Sequence, residues 1–115
     1  AIALANKGLG VASGIIIAAC IKGNVHLRSL NLHGNYFNAE AGIKLAEAFK
    51  LTPNLTSVNL AENKIGRNGP EGAIALAEAF AKMPKLTSVD LHRNWCNEAA
   101  RQAVNQAIPS VTVRW

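Results

Sequence analysis

Leu27-Arg28-Ser29-Leu30-Asn31-Leu32-His33-Gly34-Asn35 is the stretch that decides the fold, because the chain writes it again twice. Leu55-Thr56-Ser57-Val58-Asn59-Leu60-Ala61-Glu62-Asn63 follows after 28 residues, and Leu86-Thr87-Ser88-Val89-Asp90-Leu91-His92-Arg93-Asn94 after 31 more. Self-similarity at a fixed period of this length is the mark of a repeat architecture. Behind the first block stands Gly42-Ile43-Lys44-Leu45-Ala46-Glu47-Ala48-Phe49, and behind the second Gly72-Ala73-Ile74-Ala75-Leu76-Ala77-Glu78-Ala79-Phe80. Subtracting 28 finds an earlier copy, with Leu9, Gly14, Ile17, Ala18 and Ile21 falling on Phe37, Gly42, Leu45, Ala46 and Phe49. Ile2 and Leu4 then fall on Leu30 and Leu32, so the chain begins inside a strand.

Each block has a physical reading. In Leu30-Asn31-Leu32 alternate side chains face opposite sides, so the leucines go inward and Asn31 outward. Asn35, Asn63 and Asn94 stand where the chain leaves the strand and can bond to the neighbouring turn, sparing buried backbone groups an unpaired state. Leu45, Ala46 and Phe49, and likewise Leu76, Ala77 and Phe80, recur at i, i+1 and i+4, one face of a helix. No unit can bury its apolar face alone, so neighbours must stack.

The pattern L-x-x-L-x-L-x-x-N with its helical return resembles the leucine-rich repeat, in particular the ribonuclease-inhibitor-like subclass. It also resembles the repeat domains of innate immune receptors and of Ran GTPase-activating protein. The resemblance implies an α/β leucine-rich-repeat solenoid: short, curved, right-handed βα repeats with a parallel sheet on the concave face and helices on the convex face. One domain is expected over residues 1–115, in about four repeats: a partial one over 1–26, then 27–54, 55–85, and 86–115 with a final strand. The three extra residues of the second unit are placed in the turn Gly66-Arg67-Asn68-Gly69-Pro70.

Composition narrows the function classes. With 115 residues, 50% hydrophobic and 17% charged, the chain is one packed domain and not a disordered segment. Two cysteines, Cys20 and Cys96, make no disulfide framework and point to a reducing, cytoplasmic setting, a cilium or other large assembly included. The longest apolar stretch, Gly8 to Ile21, is too short for a membrane span. The chain opens at Ala1 without Met and neither end carries a polar cap, so part of a larger chain or complex is expected.

Residues with chemical capability mostly serve the repeat. Gly8-Leu9-Gly10-Val11-Ala12-Ser13-Gly14 misses the dinucleotide fingerprint by one place, and Gly14 is read as sharing a structural column with Gly42 and Gly72. His33 and His92 are separated by Ala61, about 10 Å apart in a sheet of this spacing, which is too far for one metal ion. Ser29, Ser57 and Ser88 lie about 13 Å from the histidines four residues on, out of reach of a general base. Cys20 and Cys96 occupy apolar columns and are expected in the core. No catalytic residue, metal ligand or cofactor is assigned.

What remains is the outward face. Its rows offer Arg28, Asn31, His33, Asn59, Glu62, Asp90, His92 and Arg93, with Tyr36 and Trp95 flanking Lys64 just past the asparagine column. Binding centres favour Trp, Tyr and Arg, which singles out Arg28, Arg93, Tyr36 and Trp95, though the two aromatics could instead lean on the loops. Trp115 reads either as a core residue or as an anchor. The expectation is a non-enzymatic scaffold or protein-binding module. A subunit of a ribonucleoprotein or other polyanion assembly, or a GTPase regulator, stands as the alternative. A net charge of +5 spread along the chain speaks against nucleic acid, which needs cations gathered on one face.

Overall fold

The computed structural model describes residues 1–115. Strands and helices alternate strictly: β1 (Ile2–Ala3), α1 (Val11–Ile21), β2 (Ser29–Asn31), α2 (Ala39–Phe49), β3 (Ser57–Asn59), α3 (Glu71–Phe80), β4 (Ser88–Asp90), α4 (Glu98–Ala107) and β5 (Thr112–Arg114). All five strands lie parallel in one sheet in chain order. Their register is the one the repeats dictate: Leu30 pairs with Val58 and Val58 with Val89, while Asn31 pairs with Asn59 and Asn59 with Asp90. The first copy holds as well, with Ile2 beside Leu30. This is the α/β solenoid. No helix is long and apolar enough to cross a membrane.

The core fills the space between sheet and helices. Leu30, Val58 and Val89 point into it, joined by Leu45, Ala46, Phe49, Leu76, Ala77 and Phe80 from the helices. Phe49 and Phe80 stack across α2 and α3 with ring centroids 6.1 Å apart. Because aromatic residues are few, alanines set the helix spacing, and Ala41, Ala48, Ala73 and Ala79 are all buried. Asn38 and Asn97 cap α2 and α4, accepting the N–H of Ala41 at 3.1 Å and of Ala100 at 2.9 Å.

Two sequence expectations are corrected here. Gly72 does not share the column of Gly14 and Gly42. A Cβ on Gly14 would touch Phe37 and Ala41, and one on Gly42 would touch Ile65 and lie 3.9 Å from the Gly72 Cα, so Gly72 plays the part of Ala41. The offset of 31 that aligns Phe49 with Phe80 puts Ala73 over Gly42. Cys20, expected in the core, is exposed. Its column mate Ala48 is covered by α1, whose Ile15, Ala18 and Ala19 face it across a shallow crevice, whereas no helix lies against the corresponding side of α1.

The asparagine ladder holds consecutive units together. Asn63 Oδ1 accepts the backbone N–H of Asn35 (2.9 Å) and Phe37 (3.0 Å), and its Nδ2 donates to the Leu32 carbonyl at 3.0 Å. Asn35 repeats this toward Lys7, Leu9 and Leu4, and Asn94 toward Ile65 and Leu60. Each amide thus serves the turn one unit earlier. Lys7, which stands where the other units have Asn, has its own N–H held by Asn35 Oδ1 at 3.1 Å, as Asn35 is held by Asn63.

Candidate functional site

Beyond the ladder the chain makes a second regular feature, a row of left-handed backbone. Asn6, Gly34, Glu62 and Arg93 share one column with φ of 55°, 71°, 55° and 56°. Two residues on, Gly8, Tyr36 and Trp95 share another with φ of 64°, 63° and 63°. A side chain in this region costs energy that glycine does not, most of all for bulky residues. Gly8 shows what the turn itself prefers. Tyr36 and Trp95 occupy the same conformation with the largest side chains available, and they are 58% and 68% exposed. They do not lean into the loops as packing.

The third member of that column, Lys64, has ordinary backbone because the longer turn starts there: its carbonyl accepts the Arg67 N–H at 3.3 Å. Gly66 then passes over the next unit, its N–H donating to the Asn94 carbonyl at 2.8 Å, and a Cβ there would meet the Cys96 Cα at 2.9 Å. The longer turn is thereby fastened over the backbone of Asn94 and Cys96. Lys64 is left half-buried with its Nζ 5.2 Å from the centre of the Tyr36 ring.

These residues line an open groove of about 550 Å³ at the edge of the sheet where the strands end. Tyr36, Glu62, Asn63, Lys64, His92, Arg93 and Trp95 come from the turns, Arg101 from α4, and Trp115 from the residue after β5. Trp115 Nε1 donates to Asn105 Oδ1 at 3.3 Å, and the Arg101 guanidinium lies 5.7 Å from its ring centre. The His92 Nδ1 is 2.8 Å from the Trp115 carbonyl, which fixes the end of the last strand against β4. Cys96 lies beneath, half-buried, so its expected place in the core is only partly occupied. Burial pushes its thiol up from the usual range, against a smaller opposing pull from Arg101.

Of the ten candidates on the outward face, the groove gathers Tyr36, Glu62, His92, Arg93 and Trp95. The other five stay on the sheet. Asn31, Asn59 and Asp90 turn back on their own strands, accepting the N–H of His33, Ala61 and His92 at 3.1, 3.0 and 2.9 Å. Asp90 also meets Arg114 at 3.3 Å. His33 Nε2 lies 3.4 Å from Glu62 Oε2, and Arg28 is exposed. Asn63, Lys64, Arg101 and Trp115 complete the groove and are not among those ten. Lys64 could have been found from its place between Tyr36 and Trp95. Trp115, open in the sequence between core residue and anchor, could not be placed beside them, because β5 pairs with β4 at an offset of 24, Ser88 beside Thr112, and carries no leucine pattern.

Comparison with known proteins agrees with the architecture. A family model described as the Leucine Rich repeat matches residues 23–46 and 53–77. The fold is similar to that of a solved structure of "Leiomodin-1 Actin-Binding Site 2 (ABS2)", with a TM-score of 0.84 over 98% of this chain and 68% of that one, at 16% identity. No curated protein matches the sequence.

Proposed function

We propose that this leucine-rich-repeat protein, with its helical returns of ten or eleven residues, is of the ribonuclease-inhibitor-like subclass and acts as a non-enzymatic interaction module. It holds a partner protein through the concave sheet and the adjoining loops, with the groove between Tyr36 and Trp115 as the centre of contact. One observation carries this reading. Two large aromatic side chains stand exposed in a backbone conformation that favours glycine, in a groove also lined by Lys64, Arg93 and Arg101. Strain of that kind persists where function maintains it. Trp, Tyr and Arg are also the side chains that dominate binding energy at protein interfaces. The polar rows of the sheet serve differently: their side chains are largely occupied by their own backbone, so they shape the surface more than they anchor a ligand.

The similar solved structure bears a name that assigns it to actin binding, in line with this fold serving as a platform for another protein. Two free cysteines accord with an intracellular setting. The test is affinity capture with the wild-type chain and with the Arg93→Ala and Trp95→Ala variants, at moderate salt. The expected result is a defined protein retained by the wild type and lost with both variants, while Lys82→Ala, an exposed position just past α3, retains it. Capture that is equal for all four baits, or that collapses steeply between low and physiological salt with nucleic acid in the eluate, would overturn the reading.

A further inference from the structure

The charges around the groove define what can lie in it. Lys64, Arg93 and Arg101 border it, yet none forms an ion pair; those present join His33 to Glu62, Lys44 to Glu47 and Arg114 to Asp90. Two of the three cations rest instead near aromatic rings, Lys64 by Tyr36 at 5.2 Å and Arg101 by Trp115 at 5.7 Å. A ring face attracts a cation without using up its capacity to pair with an anion. The nearby carboxylate, Glu62, is already beside His33. Positive charge is thus unspent along the rim, and the exposed Trp95 ring that lines the same groove offers a flat apolar surface.

A phosphate polymer fits this arrangement poorly. It needs cations spaced along a track, and the sheet face that leads out of the groove carries Ser57, Ser88 and Asn59, with the cation of Arg114 already paired to Asp90 at 3.3 Å. A few carboxylates flanking one ring or apolar side chain fit well, since guanidinium pairs with carboxylate through directed, charge-assisted bonds. From this complementarity we infer that the groove takes a short acidic segment of a partner protein carrying an aromatic side chain. Its carboxylates lie against Lys64, Arg93 and Arg101, and its ring lies on Trp95. The inference rests on the interaction-module reading and specifies the partner's chemistry.

The chain contains two tryptophans and both line the groove, so intrinsic fluorescence reports occupancy without a label. The probe is the blocked peptide Ac-DDFDD-amide, titrated against the 115-residue chain. A saturable change in tryptophan emission is expected. Arg93→Ala and Lys64→Ala should each weaken it about tenfold, the size of effect typical of a residue central to an interface. Lys82→Ala, which removes an exposed cation just past α3 and outside the groove, should leave it within about twofold. Replacing the four acids by Asn, or the Phe by Gly, should also weaken binding about tenfold. Far-UV circular dichroism of each variant separates lost binding from lost folding. No response to the peptide, equal binding of the Asn version, or tighter binding of oligothymidylate of equal length would each sink the inference. A partner captured by the wild type and lost with Arg93→Ala, together with no response to the acidic peptide, would retain the module and discard the acidic segment.

Discussion

At the scale of single residues, the ladder asparagines and the strand asparagines look alike in sequence and do unlike work. Asn63 is buried and its Oδ1 is the sole partner given to two buried N–H groups, those of Asn35 and Phe37. The carbonyls that its Nδ2 serves lose less, since Leu32 also accepts from Asn35 and Leu60 from Asn94. Asn63→Ala should therefore cost about 2–6 kcal/mol, the penalty of two orphaned donors. Asn31→Ala gives up one bond to the partly exposed His33 N–H, where water can substitute, and should cost about 1 kcal/mol or less. Urea unfolding of the two variants checks the contrast, and equal losses would show that the ladder carries no special load. Trp95 makes the opposite case. With φ of 63° and most of its surface exposed, it contributes strain without burial. Trp95→Gly should leave stability unchanged or raise it by up to about 1 kcal/mol, the relief of left-handed strain set against the added chain entropy of glycine. A loss larger than that would mean the ring packs for the fold after all. The ladder could be read from sequence because its chemistry puts Asn in all three copies of the motif, at 35, 63 and 94. The left-handed columns could not, because Glu62, Arg93, Tyr36 and Trp95 hide a conformation that only Gly8 and Gly34 advertise.

At the scale of elements, close helix packing explains which small residues are required and which are merely present. Gly72 faces Ile65 and the Ala39 backbone, where a Cβ would stand 2.9 and 3.0 Å from their atoms. Gly72→Ala must push α3 away from α2, and overpacking of that kind should cost about 1–3 kcal/mol. Gly10, by contrast, has open space around its Cβ direction and the extended backbone of a helix cap, φ −97° and ψ −174°, beside −99° and −170° at Asn38. Gly10→Asn should give α1 the cap that α2 and α4 already have and add a few tenths of a kcal/mol. Thermal midpoints of the two variants should move in opposite directions; a shift in the same direction would contradict this account of the helix layer. The glycine motif misplaces Gly72 by one column, since matching Gly to Gly takes the offset as 30 where the helix keeps 31 throughout, and the contacts decide between the two. The groove was half legible for a related reason. Tyr36, Lys64, Arg93 and Trp95 come from repeated turns, so the pattern places them together, whereas Arg101 and Trp115 come from a last unit whose strand returns four residues sooner than the shortest repeat.

At the scale of the whole molecule, the solenoid has no contact that skips a unit in its sheet, so its cohesion passes from neighbour to neighbour. β3 is paired on both sides and receives the ladder from Asn94 while giving it through Asn63, whereas β1 has two residues and a single neighbour, as has β5 a single neighbour. Opening should therefore spread inward from the ends. Native-state hydrogen exchange should find the Leu32 and Leu60 amides, which donate to Asn59 and Asp90 at 2.8 Å, opening only near the global free energy. The Leu4 amide, bonded to Asn31 at 2.9 Å, should exchange well before them. Uniform protection, or β1 as slow as β3, would require coupling that the architecture does not contain. The same chain of neighbours ties folding to recognition. The groove draws Tyr36, Lys64, Trp95 and Trp115 from the turns after β2, β3 and β4 and from the end of β5, so an occupant bridges successive units and binds the folded stack as a whole. Since a ligand stabilises what it bridges, an occupied groove should slow exchange at β4 and β5, where the free chain opens early, and leave β1 as it was. Slowing confined to β1, or none at all on saturation, would place the occupant somewhere other than between Tyr36 and Trp115.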